Sequence, residues 1–225
     1  MATQKIKAAN GDETPVVFAK VASAWVTATA YVVGIVVTDS GNSYFCLVSH
    51  TSGTLATDIA ASPPKWVLVT AVVWTPSTTP LAITKTRISA VWDRGAGHQP
   101  VEYQWFASVR WAATVTAADS LRLYLIGALS SASPLGTVQN LTFGDADLSA
   151  TSDILGAGGV YQFGRIIAAS ATDQVWVNGG TLSIIDRYIA IAAYNAAVAK
   201  ALTSATGSDH WIYLAPVPPV IEAAV

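Results

Sequence analysis

Between Val101 and Trp111 the chain alternates: Val101, Tyr103, Trp105, Ala107, Val109 and Trp111 share one face, and Glu102, Gln104, Ser108 and Arg110 lie opposite. A period of two belongs to an extended chain and gives a helix no apolar stripe, so this segment predicts a half-buried strand. Leu121, Leu123 and Leu125, interleaved with Arg122 and Tyr124, predict another. Val175 to Asn178, then Gly179-Gly180, then Thr181 to Ile185 predicts a hairpin, because paired glycines between β-type runs suit a two-residue turn. Arg187 to Tyr194 and Trp211 to Leu214 continue the pattern. No stretch sustains the helical period. Asn195 to Ser204 is the best helix former by propensity, with a strand edge and loop as the alternative. The expected fold class is all-β: a small N-terminal β module followed by an antiparallel jelly-roll-like β-sandwich.

Turn and loop composition divides the chain. Met1 to Thr14 is polar, with Asn10-Gly11-Asp12 as a turn signal, and residues 1–19 read as an N-terminal arm, either mobile or adding a short strand to a neighbouring sheet. Residues 20–74 form the small module, in which Asp39-Ser40-Gly41-Asn42 predicts a hairpin turn and Ser62-Pro63-Pro64 a loop. Thr75-Pro76-Ser77-Thr78-Thr79-Pro80 has the composition of a short stiff linker, placed at 75–82, and residues 83–225 form the sandwich. Ala215-Pro216-Val217-Pro218-Pro219 cannot donate a regular hydrogen-bond ladder, so the last strand is expected to stop near Leu214 and an extended tail to follow.

Charged residues make up 12% of the chain and hydrophobic ones 52%, too little charge for a monomer to cover itself easily, so assembly through an apolar β surface is expected. A net charge of -2 supplies no electrostatic footprint for nucleic acid or anionic lipid, and neither is an expected partner. Val21 to Val37 is uncharged but interrupted by Ser23, Thr27, Thr29 and Gly34 and rich in β-branched side chains, which points to paired strands rather than a membrane span. The first twenty residues carry Lys5, Lys7, Asp12, Glu13 and Lys20, a pattern unlike a signal peptide. The lone Cys46 permits no intramolecular disulfide and reads as a buried thiol.

Chemistry is sparse. His50, His98 and His210 fit no metal-ligand spacing, and a surface or capping role is expected for each, with His50-Thr51-Ser52-Gly53 as a turn bonding nearby backbone. Asp145, Asp147 and Asp153 lack the spacing of a calcium loop, and Gly156-Ala157-Gly158-Gly159 lacks the rest of a phosphate-binding motif. With no Gly-x-Ser-x-Gly elbow either, the expectation is no catalytic residues, no metal, no cofactor and no enzyme activity. Trp25, Tyr31, Tyr44 and Trp66 have two readings, a glycan-stacking platform or the large side chains that close a small core.

The row Trp25, Tyr31, Gly34, Val36, Gly41, Tyr44, Cys46, His50, Thr51, Ser52 and Trp66 resembles the small chitin-binding module of bacterial chitinases. It does so in the shortened form, Tyr-x-Cys-x-x-x-His-Thr-Ser, that recurs in structural and fibre proteins of tailed bacteriophages. In place of the adjacent solvent-facing tryptophans of the chitinase modules stands Phe45-Cys46-Leu47-Val48-Ser49-His50. A second stretch, Arg187-Tyr188-Ile189 and then Asp209-His210-Trp211-Ile212-Tyr213-Leu214 followed by Pro216 and Pro218, is similar to the C-terminal part of proteins found among phage head genes. These resemblances imply a virion structural protein: capsid decoration, head fibre or tail fibre. Implied partners are the major capsid or tail proteins and further copies of the chain, a trimer among the closed forms, and the implied location is the virion, assembled in the host cytoplasm. The alternative they imply is a tail fibre or adhesin that binds host-surface carbohydrate.

Overall fold

The computed structural model describes residues 14–19, 21–73, 81–82, 84–96, 100–111, 119–128, 144–148, 160–167, 175–196, 202 and 210–217. The chain runs through β1 (Val16–Ala19), β2 (Val21–Ala24), β3 (Ala30–Tyr31), β4 (Val36–Asp39), β5 (Asn42–Cys46), β6 (His50–Thr51), α1 (Leu55–Ile59) and β7 (Trp66–Val73). It continues through β8 (Thr86–Ile88), β9 (Trp92–Asp93), β10 (Glu102–Arg110), β11 (Ser120–Ala128), β12 (Gly144–Leu148), β13 (Val160–Ile167), β14 (Val175–Ser183), β15 (Tyr188–Asn195) and β16 (Trp211–Pro216). The fold is all-β, as the alternation requires, and α1 is the one α-helix among the described residues.

Eight strands form one sheet in the order β14-β10-β16-β1-β7-β5-β4-β2, and a second sheet runs β12-β8-β15-β11-β13 with β9 also paired to β15. β3 and β6 make a separate two-stranded ribbon. Most pairings are antiparallel, but β1 with β7 and β2 with β4 are parallel. The two large sheets face each other across the main core. From the first come Val16, Phe18, Tyr103, Trp105, Val109, Ile212 and Leu214; from the second come Leu121, Leu123, Leu125, Ile166, Ile189 and Ile191. Each such aliphatic side chain, fully buried, contributes about 1.5–3 kcal/mol, which is why the alternating residues decide the register.

The predicted face of β10 is the core face at Tyr103, Trp105, Ala107, Val109 and Trp111, whereas Val101, just before the strand, is 51% exposed. The turn at Asp39-Ser40-Gly41-Asn42 is also as expected. Asp39 pairs with Asn42, and Ser40 (φ 49°) and Gly41 (φ 82°) both take the positive φ that a two-residue hairpin with right-handed strand twist demands.

Other expectations are corrected. Gly179-Gly180 is no hairpin: β14 runs straight through it along β10, with Gly179 opposite Phe106 and Gly180 opposite Trp105. The reason is steric. A Cβ on Gly180 would fall 2.8 Å from Trp105 Nε1, one on Gly179 2.8 Å from the Trp105 carbonyl oxygen, and one on Gly164 of the facing sheet 2.7 Å from the Trp105 ring. Gly164 and Gly180 make room for one indole, and Gly179 for the backbone and ring of the neighbouring strand.

The arm and module boundaries do not coincide with breaks in the sheet. Val16 to Ala19, placed in the arm, are wholly buried as β1, held between β16 and β7. Residues 1–13 lie outside the described residues. The small module shares this sheet with the sandwich, and Phe45 packs edge-on against Trp211 (5.2 Å) and beside Tyr213 (5.2 Å). Residues 75–80 of the linker lie outside the described residues, as does Trp74 before it, while Leu81 is in the main core. The last strand continues past Leu214. Beyond that residue β1 has ended, so Ala215 and Pro216 pair only with β10, and a missing N–H facing the open side costs nothing there. Asn195 closes β15 and Leu202 bridges Trp111; the rest of the 195–204 segment, apart from Ala196, lies outside the described residues.

Candidate functional site

The resemblance residues gather in a small lobe at the β2 end of the larger sheet. Tyr31, Val37, Cys46 and Trp66 are its buried centre, with Trp25, Ile35, Tyr44 and Leu55 packed around them. The ribbon of β3 and β6 sets Tyr31 opposite His50, and β5 against β7 sets Cys46 opposite Trp66. Tyr31 meets Trp66 edge to face at 5.0 Å, and His50 meets Trp66 likewise at 5.5 Å.

A polar chain runs through this packing. Trp66 Nε1–H donates to His50 Nε2 at 3.1 Å, and His50 Nδ1 lies 2.6 Å from the Val48 carbonyl. A carbonyl can only accept, so Nδ1 carries the proton and Nε2 offers its lone pair to the indole. Asp58 Oδ2 lies 3.4 Å from the same Nε2, accepts from Gly53 N–H at 3.0 Å, and its other oxygen accepts from Lys65 Nζ at 2.8 Å. Burial alone would raise the Asp58 carboxyl. The Lys65 hydrogen bond, the Gly53 amide and the positive charge of Lys65 outweigh it and hold the group below the usual carboxylate range. Burial pushes the Cys46 thiol up to about 11, only partly offset by a backbone hydrogen bond from Val48, and the protonated thiol donates to the Val48 carbonyl at 3.3 Å.

Local sequence explains how Asp58 reaches this position. Thr54 caps α1 with its hydroxyl on the Thr57 N–H, and the Thr57 hydroxyl returns to the Thr54 N–H, a reciprocal cap that starts the short helix. Ser52 fastens the opposite loop. Its hydroxyl donates to the Val26 carbonyl at 2.8 Å and accepts from Thr29 N–H at 3.0 Å, while the Tyr31 hydroxyl accepts from Val26 N–H at 2.9 Å.

Of the four aromatic candidates, Tyr31 and Trp66 are closed inside the lobe, 6% and 1% exposed, so neither offers a ring face to a ligand. Trp25 and Tyr44 are half-buried, and Tyr44 shares its face with Leu68, which is 44% exposed. The set does not assemble into a four-ring platform, because a lobe this small needs its largest rings inside. Of the surface or capping role expected for the histidines, the surface alternative does not hold for His50 and His210, while the bonding to backbone groups does. His50 belongs to the buried chain just described, and His210 is 1% exposed, its Nδ1 accepting from Arg110 N–H at 3.3 Å. His98 and Asp153 lie outside the described residues, as do the side chains of Asp145 and Asp147. Among the described residues no three His, Cys, Asp or Glu side chains are placed to hold a metal ion.

Sequence reasoning missed Asp58. Its signal is the Thr54–Thr57 cap pattern with Lys65 seven residues beyond the acid. What the arrangement does chemically is tie the β6 loop, α1 and the start of β7 into one unit. Fold and site together define an all-β sandwich with an aromatic lobe built onto the end of its larger sheet. Compared with protein-family models, curated proteins and solved structures, the chain finds no match.

Proposed function

We propose that this chain is a non-enzymatic structural protein of a tailed-phage virion, a capsid decoration or head fibre that assembles through apolar β surfaces with copies of itself and with the shell. The reading rests on the resemblance carried by Tyr44, Cys46, His50, Thr51 and Ser52, and one structural observation supports it. Large apolar side chains stand in solvent on both the lobe and the sandwich: Ile185 is 84% exposed, Val26 54%, Val101 51%, Ile167 47% and Phe106 43%. Val101 and Ile185 neighbour each other, since Ile184 N–H donates to the Val101 carbonyl at 2.7 Å. On a chain with 12% charged residues such surface calls for a cover.

Sedimentation of the purified chain is expected to show a closed oligomer, a trimer being the simplest spike, and mass spectrometry of purified particles is expected to find it in fixed ratio to the shell protein. A monomer at high concentration that is absent from particles would overturn the proposal.

A further inference from the structure

Thr86, Tyr194, Arg122 and Arg165 stand in one cross-strand row of the second sheet, paired in register Thr86 with Tyr194, Tyr194 with Arg122 and Arg122 with Arg165. Leu121 and Leu123 point into the main core, so the pleat turns Arg122 and its partners to the outer face. Directly opposed residues of an antiparallel pair have Cβ atoms about 5 Å apart, and like charges in that position repel. Arg122 leans away, its guanidinium carbon 5.9 Å from the centre of the Tyr194 ring, and its Nε is buried without a hydrogen-bond partner. Arg165 is exposed.

Arg187 and Arg94, by contrast, are engaged by protein oxygens. Arg187 grips Asp93 through Nε and Nη2 at 2.8 and 3.0 Å, and Arg94 donates to the carbonyls of Ile184, Asp186 and Pro100. Among the described residues the carboxylates that meet cationic side chains are Asp58 with Lys65 and Asp93 with Arg187, and no carboxylate reaches Arg122 or Arg165.

We propose that Arg122 and Arg165 form a binding site for a doubly charged tetrahedral oxyanion, either free sulfate or phosphate or the phosphate monoester of a sugar. One carboxylate would neutralise only one of the two cations. A tetrahedral dianion has charge for both and enough oxygens to accept from two planar forks, and a bridging anion turns the cross-strand repulsion into attraction. Arg165 provides access from solvent, and half-buried Arg122 sits where an electrostatic contact is less screened.

The test is calorimetric titration of the full chain with sodium sulfate and with inorganic phosphate, at ionic strength held constant with sodium chloride, beside Arg165→Gln and Arg122→Gln. One saturable site is expected in the wild type, weakened at least about tenfold by Arg165→Gln. Without sulfate, Arg165→Gln is expected to melt no lower than the wild type, because it removes a repulsion. No saturable site, equal binding by wild type and Arg165→Gln, or a lower melting point of that variant without sulfate would each overturn the proposal. A sugar phosphate such as glucose 6-phosphate, whose ester group is also a dianion above about pH 7, distinguishes the source: tighter binding than inorganic phosphate supports a sugar-borne group, and equal or weaker binding supports the free ion.

Discussion

The indole N–H of Trp66 is held by the one nitrogen of His50 that can accept it, 3.1 Å away, because the other nitrogen is committed to the Val48 carbonyl at 2.6 Å. Both rings are buried, so neither partner has water as a substitute. His50→Ala leaves a buried donor unpaired and is expected to cost about 1–3 kcal/mol in urea unfolding. His50→Gln retains an acceptor and is expected to lose less. Equal loss in both variants would mean that ring packing alone matters.

Asp58 connects stability to pH. Its folded value lies below the unfolded one, so its contribution is complete above the ordinary carboxylate range and is lost as pH falls through the folded value. Wild-type stability is expected to drop below about pH 4, and Asp58→Asn to flatten that slope. At neutral pH the variant is expected to cost about 1–2 kcal/mol, less than a fully enclosed pair, since Lys65 keeps 32% of its side chain in solvent. Identical slopes in denaturation series at several pH values would refute the assignment.

Gly164 and Gly180 are shaped to Trp105. Gly164→Ala sets a methyl group 2.7 Å from the ring and is expected to destabilise by about 1–3 kcal/mol. In a double-mutant cycle with Trp105→Phe the two losses should fall short of their sum, because the smaller ring vacates the space. Strict additivity would place the cost of the alanine elsewhere.

Cys46 is enclosed, and its thiol is pushed up to about 11, so it is protonated at neutral pH. A thiol-specific reagent such as DTNB is expected to react slowly with the folded chain and rapidly in denaturant. Fast reaction in native buffer would show that the lobe opens readily.

The strands most legible in sequence were those with one buried face. β10 shows its period of two because its outward residues, Phe106 excepted, are polar, and the Asp39–Asn42 turn is written in local chemistry. β11 was legible only through Leu121, Leu123 and Leu125. Tyr124 and Ile126 on its other face are also buried, and burial on both faces erases alternation. Gly179-Gly180 reads as a turn because a glycine pair that makes a turn and one that yields space to the backbone and rings of a neighbouring strand look the same in one dimension.

The residue pattern by itself determined the β class, the core face of the longest strands and the identity of the lobe residues, since each depends on neighbours two to a few positions away. Only the tertiary structure decided that β1 joins lobe and sandwich into one sheet, that Asp58 closes on Lys65 and His50, and that Arg122 stands opposite Arg165 in register. Those contacts depend on which distant strands become neighbours, and strand pairing is chosen by the burial of whole faces rather than by any local signal.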